Sequence, residues 1–315
     1  MSWSVDNVPD QSGTVAVVTG ANDGLGFEVA RVLAGANATV VMAVRNVAKG
    51  QAARERIRDE HGDVPVEVIE LDLASLGSVD AGARAIVGDY PRIDLLVNNA
   101  GVMAVPEQRT EDGFELQLAT NHLGHFVLTA RLLPGLLAAP ASRVVAVTST
   151  ARHVGLPINS RNPHLEKRYN PWLAYGQSKL ANLHFAVELQ RRLEQAGGGV
   201  ASLVAHPGLS NTHLQATSVE ESGGGVSQKF FFHLARLTGM PAARGALPLL
   251  RAATDPAVRG GTLYAPRFAT NGAPVRRPLM GRSVRHAPAR RLWKVSERET
   301  GVRFDVAKLV AAHRG

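Results

Sequence analysis

Tyr175 and Lys179 stand four residues apart in the run Tyr175-Gly176-Gln177-Ser178-Lys179, a spacing that places both side chains on one face of a helix. A free phenol ionises near pH ~10 and shuttles protons poorly at neutral pH, whereas an adjacent ammonium stabilises the phenolate and lowers that value. The pair therefore reads as a proton-transferring tyrosine tuned by a lysine. Alone, the same spacing also describes an exposed helical pair with no chemistry, so the decision rests on what surrounds it.

Near the start of the chain a β-branched run ends in Thr19-Gly20-Ala21-Asn22-Asp23-Gly24-Leu25-Gly26 and passes into a helical pattern. Glycines at such a junction permit a tight turn and let phosphate oxygens approach the backbone amides at a helix N-terminus. The backbone of Gly20, Asn22, Asp23, Gly24, Leu25 and Gly26 is thus a candidate cradle for a dinucleotide pyrophosphate. The spacing is Gly-x3-Gly-x-Gly rather than Gly-x-Gly-x-x-Gly, and a glycine-rich turn is also ordinary loop punctuation. At the end of the second apolar run, Ala43-Val44-Arg45 offers a guanidinium for a ribose 2′-phosphate and no carboxylate for a free 2′-hydroxyl, which favours NADP, with NAD as the alternative.

The elements that must hold these residues alternate along the chain. Short β-branched runs at Val15–Thr19, Thr39–Val44, Val66–Leu71, Ile93–Val97, Val144–Thr148 and Val200–Ala205 read as strands. Helical patterns run from about Leu25 and over Ala48–Glu60, Val79–Gly88, Phe114–Leu137, Tyr175–Gln195 and Pro241–Ala253, with a last strand at Thr262–Tyr264 and a short helix after Arg290. Nearly continuous apolar strands alternating with helices predict an α/β fold: a Rossmann-type, doubly wound parallel sheet covered on both faces. The expected layout is one domain: an N-terminal arm over 1–12, a dinucleotide-binding catalytic domain over 13–265, and a basic C-terminal extension over 266–315. Within it, Leu209–Met240 joins Gly223–Gly225 to Phe230–Phe232, a hinge beside apolar surface, as a lid over an apolar substrate requires; a membrane-resting surface, a subunit contact or local core would use the same residues.

Taken together, the glycine-rich turn, Asn98-Asn99-Ala100-Gly101, Ser149 after the fifth strand, Tyr175-x-x-x-Lys179 and Pro207-Gly208-x-x-x-Thr212 occur in the order of the short-chain dehydrogenase/reductase family, which the chain resembles over roughly residues 13–265. Asn121-His122-Leu123-Gly124-His125-Phe126 and Arg45-Asn46 look most like its retinol dehydrogenase-like and protochlorophyllide reductase-like branch. The resemblance implies hydride transfer between a nicotinamide cofactor and a carbonyl or alcohol. It implies that Tyr175 exchanges the proton, that Lys179 holds the nicotinamide ribose, that Ser149 hydrogen-bonds the reacting oxygen, and that Asn121 anchors a water linking Lys179 to solvent. It further places Asp72 and Leu73 at the adenine, Asn98, Ala100 and Gly101 on the cofactor floor, and Pro207, Gly208 and Thr212 at the nicotinamide end. Asp23 stands where NADP-using members often carry a neutral or basic residue, which sets its charge against the 2′-phosphate. A homodimer or homotetramer is the oligomer that the resemblance implies.

Composition narrows the remaining classes. Apolar residues make up 45% and charged residues 20% of the chain, enough for a substantial core, and no stretch approaches the ~18 uninterrupted apolar residues of a membrane span. The polar start, Met1 to Gly13, lacks a signal-peptide apolar region, so the cytoplasm is the expected location. With no cysteine, disulfides, thiolate metal sites and cysteine nucleophiles are excluded. The net charge of +8 resides in the tail: Lys/Arg and Asp/Glu balance at 24 each through residue 275, while 276–315 holds 11 basic and 3 acidic residues. A solvated arginine-rich face or subunit contact accounts for that tail, and no nucleic-acid partner is expected. His122 and His125 lack an acidic partner spaced to complete a metal site and read as packed or hydrogen-bonded. The competing class is a dinucleotide sensor or scaffold of the same fold, which loss of Tyr175 or Lys179 would have favoured.

Overall fold

The computed structural model describes residues 2–167, 169–209, 240–279 and 286–315. Among these residues eight strands form one sheet: β1 (Val15–Thr19), β2 (Thr39–Val44), β3 (Val66–Glu70), β4 (Leu95–Asn98), β5 (Arg143–Val147), β6 (Ala201–Ala205), β7 (Leu263–Pro266) and β8 (Pro274–Arg277). Their order is β3-β2-β1-β4-β5-β6-β7-β8, parallel as far as β7, with β8 antiparallel to it. The order reverses between β1 and β4, and a sheet of this kind opens its ligand cleft at the carboxyl ends of the strands on either side of that reversal.

Successive side chains of a strand enter opposite layers. On β1, Val17 joins one core with Phe126, Leu189 and Trp293, while Ala16 and Val18 join the other with Val29, Leu33 and Leu249. The second layer is built on α1 (Gly24–Gly35), α2 (Val47–His61) and α7 (Ala242–Thr254). The first is built on α3 (Leu76–Asp89), α5 (Gly124–Leu137), α6 (Pro171–Ala196), α8 (His286–Thr300) and α9 (Val306–Arg314).

Two elements depart from the sequence expectation. The pattern over Phe114–Leu137 is not one regular helix. Glu115 caps a single turn, α4 (Leu116–Leu118), accepting from the amides of Gln117 and Leu118 at 2.9 and 2.6 Å. A π-helical stretch, Ala119–Leu123, follows before α5 begins. The widened turn lets the Asn121 side chain clamp the loop after β4, accepting from Val102 N at 2.7 Å and donating to Val102 O at 2.9 Å. Helix α6 starts four residues before Tyr175, because Asn170 accepts from Leu173 N at 2.9 Å and Pro171 occupies the first helical position.

The segment 266–315 carries β8, α8 and α9, and it lies in the core rather than beside it. Trp293 is fully buried, stacked on Phe304 with ring centroids 4.9 Å apart and edge-on to Phe126 at 5.2 Å. Among the described residues no helix is long and apolar enough to cross a membrane. Apart from Leu209 and Met240 at its ends, the expected lid lies outside the described residues, as does Thr212.

Candidate active site

The carboxyl end of β1 turns directly into α1, and the turn is made by glycines whose backbone demands them. Gly20 and Gly24 have φ of +64° and +56°, the left-handed region that other residues enter at a cost. A Cβ on Gly26 would lie 2.3 Å from Gly20 O, so only glycine lets α1 pack against the turn. Asp23 caps this helix, accepting from Gly24 N at 2.7 Å, and Leu25 packs on the core beneath. Asn22 is half-buried, and Arg45, just past β2, is exposed and forms no ion pair with a described residue. The turn, the first-turn amides of α1 and the guanidinium form a donor set that fits a phosphorylated dinucleotide. At the end of β3, Asp72 accepts from Ala74 N at 2.9 Å, and Leu73 is buried with its backbone tight against Gly124.

The loop after β4 forms the floor. Gly101 is required there because a Cβ would lie 2.7 Å from Asn121 Oδ1 and 3.2 Å from Lys179 Nζ. Asn98 is buried and donates to Thr129 Oγ1 at 3.0 Å, and its own Oδ1 has no partner among the described residues. Thr19, which sequence reasoning left out of the site, is the junction of this region. Its hydroxyl accepts from the amides of Asn99 and Ala100 at 2.9 and 3.0 Å and lies 2.9 Å from His125 Nε2. His125 Nδ1 is 3.0 Å from Asn121 O, a group that can only accept, so the proton sits on Nδ1 and Thr19 donates to the bare Nε2. Burial holds this ring neutral, with its pKa down at about 4. A relay of hydrogen bonds thus ties the end of β1 and the loop after β4 to Asn121. The Asn121 amide also donates to Ser178 Oγ at 2.8 Å. His122 lies 2.7 Å from Ser296 on α8.

Ser149, Tyr175 and Lys179 converge at the ends of β5 and α6. Ser149 caps the 3-10 turn Thr150–His153, accepting from Ala151 N at 3.2 Å, and its hydroxyl is hydrogen-bonded to the Tyr175 phenol. Two glycines hold this turn against α6. A Cβ on Gly176 would lie 2.7 Å from Ala151 O, and one on Gly155 would lie 2.1 Å from Gly176 O. Gly176 belongs to the motif, but nothing in the sequence marked Gly155 as its counterpart. The neighbouring Thr148 hydroxyl donates to Lys179 O at 2.7 Å, which leaves Ser149 as the strand-end hydroxyl facing the phenol.

Tyr175 and Lys179 are both buried, and here the expectation is corrected. Burial raises the Tyr175 pKa to about 12, and the hydrogen bond from Ser149 offsets only part of this. Burial also lowers that of Lys179 to about 8. Burial outweighs any help from the lysine, whose Nζ lies over the tyrosine ring and approaches Val147 O at 3.5 Å. Pro207 and Gly208 follow β6. Gly208 has φ of +80°, and a Cβ on it would lie 2.5 Å from Thr270 O.

This arrangement has counterparts among known proteins. The short chain dehydrogenase family matches residues 14–223. Human retinol dehydrogenase 11 is 45% identical over 202 residues, covering 64% of this chain and 63% of that protein. Mouse polyprenol dehydrogenase is 40% identical over 298 residues, covering 93% of this chain and 86% of that protein. The chain therefore spans under two thirds of the retinol dehydrogenase but most of the polyprenol dehydrogenase. Among solved structures, an uncharacterized protein from Mycobacterium paratuberculosis superposes with a TM-score of 0.79 at 40% identity, covering 96% of this chain and 99% of that one. A short chain dehydrogenase from Shigella flexneri, solved with NADP, gives 0.61 at 26% identity over 81% of this chain and 97% of that one. The family match over residues 14–223 and the 40% identity to the polyprenol dehydrogenase over 93% of the chain show that the chain belongs to the short chain dehydrogenase family.

Proposed function

We propose that this protein is an oxidoreductase that interconverts a carbonyl and an alcohol on an apolar substrate, using NADP. The observation that carries the reading is the Tyr175 phenol, hydrogen-bonded to Ser149 and one helical turn from Lys179. The nicotinamide supplies or accepts the hydride. Ser149 holds the reacting oxygen, Tyr175 gives it a proton in reduction and removes one in oxidation, and Lys179 and Gly101 shape the ribose side. The names of the relatives, retinol and polyprenol dehydrogenases, support an apolar alcohol or aldehyde. Arg45, which pairs with no carboxylate among the described residues, together with the NADP found in the Shigella relative, supports the phosphorylated cofactor. The Asp23 carboxylate caps its own helix, which ties up an oxygen of the charge expected to oppose the phosphate.

The test is a screen of apolar aldehydes, ketones and alcohols against NADP(H) and NAD(H), followed by Tyr175→Phe and Arg45→Ala. Tyr175→Phe should bind cofactor as wild type does while losing ~10²–10⁴-fold in rate. Arg45→Ala should weaken NADP and leave NAD unchanged. Near wild-type turnover by Tyr175→Phe overturns the mechanism. Tight cofactor binding with no turnover of any carbonyl or alcohol favours a sensor.

A further inference from the structure

Arg152 lies three residues after Ser149 in the 3-10 turn, and it is unlike the other arginine that is withdrawn as far from water. Arg143 donates to the carbonyls of Ala253 and Asp255 at 2.8 and 3.0 Å and has the Asp255 charge beside it. Among the described residues Arg152 makes one hydrogen bond, from Nη1 to Ser149 O at 2.9 Å. Its Nε is buried without a partner, and among the described residues no carboxylate pairs with it. Buried cations without a counter-charge are costly and are retained where something neutralises them.

His206 lies beside it. The pairing of β5 with β6 sets Val147 against Ala205, so the strand ends place His206 next to Thr148 and within one residue of Ser149. Its ring is 2% exposed, and neither nitrogen makes a hydrogen bond of good geometry, although the carbonyls of Thr148 and Ala269 are nearby. The charges of Arg152 and His153 both bear on this ring. Arg152 thus sits on the Ser149 carbonyl and its charge reaches the His206 ring, with no acidic group among the described residues to satisfy either.

We propose that Arg152 and His206 form an anion subsite next to Ser149 that takes the carboxylate of a carbonyl substrate. The proposal rests on the carbonyl-reducing reading above and narrows its substrate class to apolar oxo acids or aldehyde acids. With Nη1 held by Ser149 O, the Nε and Nη2 edge of the guanidinium remains, and that edge matches a planar carboxylate bidentately. His206, neutral, would turn its one ring N–H from the neighbouring carbonyl of Thr148 or Ala269 to the same group. The cofactor's phosphates are not the anion: their cradle follows β1, which β4 separates from β5, about 10 Å at the usual strand spacing. Val154 and Leu156, 63% and 52% exposed just beyond the turn, give the apolar body of such a substrate a surface to lie on.

The experiment compares 2-, 3- and 4-carboxybenzaldehyde with their methyl esters on the wild-type protein with NADPH, and on Arg152→Gln and Arg152→Lys. In parallel, benzoate is titrated into the protein saturated with cofactor. For at least one isomer the wild type should favour acid over ester by ten-fold or more in kcat/KM. Arg152→Gln should bring that ratio near one, with Arg152→Lys between them, and benzoate should bind saturably to wild type and not to Arg152→Gln. Acids that are no better than esters, or a ratio unmoved by Arg152→Gln, overturn the subsite. Absence of benzoate binding to wild type overturns it too, even if neutral aldehydes are reduced. Benzoate binding that depends on Arg152, in a protein that reduces no aldehyde, supports the subsite and overturns the carbonyl reading instead.

Discussion

The Lys179 ammonium lies over the Tyr175 ring, 5.7 Å from its centre. The phenol consequently feels burial more than charge and stays protonated up to about pH 12. Reduction, which needs the protonated phenol, should be nearly independent of pH on this account. Oxidation needs the proton removed, so its rate should climb by about tenfold per pH unit below that value. Initial rates in both directions from pH 6 to 10 check this, and an oxidation rate that levels off near neutrality would show that the lysine depresses the phenol after all.

The contact between Gly155 and Gly176 should govern the chemistry without touching it. Gly176→Ala puts a methyl 2.7 Å from Ala151 O and must push the Ser149 turn away from α6. Misplacing a catalytic group by about 1 Å can cost ~10²-fold in rate. The expected variant is folded, binds cofactor normally and has a kcat at least tenfold reduced. Full activity in kinetics, or an unchanged turn in a crystal structure, would contradict it.

Burial holds His122, His125 and His206 neutral, at about 3, 4 and 3. An unfolded chain protonates these rings near pH 6.5 and the native protein does not, so the unfolded state binds more protons as pH falls. Stability should be flat with respect to them above about pH 6.5 and decline below it. Each ring contributes about 1.4 kcal/mol per pH unit at full slope. Urea denaturation at pH 7.5, 6.5 and 5.5 should show the decline, and His125→Gln should make it shallower. Equal slopes for variant and wild type would place the titration elsewhere.

Trp293 tests whether the C-terminal helices belong to the fold. Its ring is buried among Phe126, Phe185 and Phe304, with the Arg192 guanidinium 4.3 Å from its centre. Trp293→Ala should destabilise the protein by about 3–5 kcal/mol. Calorimetry should show a single transition at lower temperature. A separate low-temperature transition would make the last fifty residues an appended unit.

The strands were legible because parallel strands covered on both faces are written as apolar runs, and β1, β2 and β6 fall within a residue of where such runs lie. Tyr175 and Lys179 were legible as a pair because helical periodicity fixes which side chains share a face. The direction in which the ammonium points was not, since it depends on burial and on Val147 O, contributed by a different element. The Thr19–His125 bond joins residues 106 apart, and the π-helical stretch exists to satisfy Val102 from a distant loop. Neither leaves a periodic trace. The C-terminal segment looked like a basic tail because 11 basic residues against 3 acidic ones dominate it. Scattered among them, Leu292, Trp293, Val295, Phe304, Val306 and Val310 are the ones in the core.

The two margins of the sheet carry opposite signs. The outer strand on one side, β3, exposes Glu67 and Glu70; on the other, β8 follows Pro274 with Arg276 and Arg277. Two copies meeting margin to margin about a twofold axis would bring acid against acid, or guanidinium against guanidinium with a proline lacking its amide donor. Continuous sheets across a symmetric assembly are thereby disfavoured. Self-association of this chain, where it occurs, is expected to be made by helices, leaving each copy with a sheet closed at eight strands.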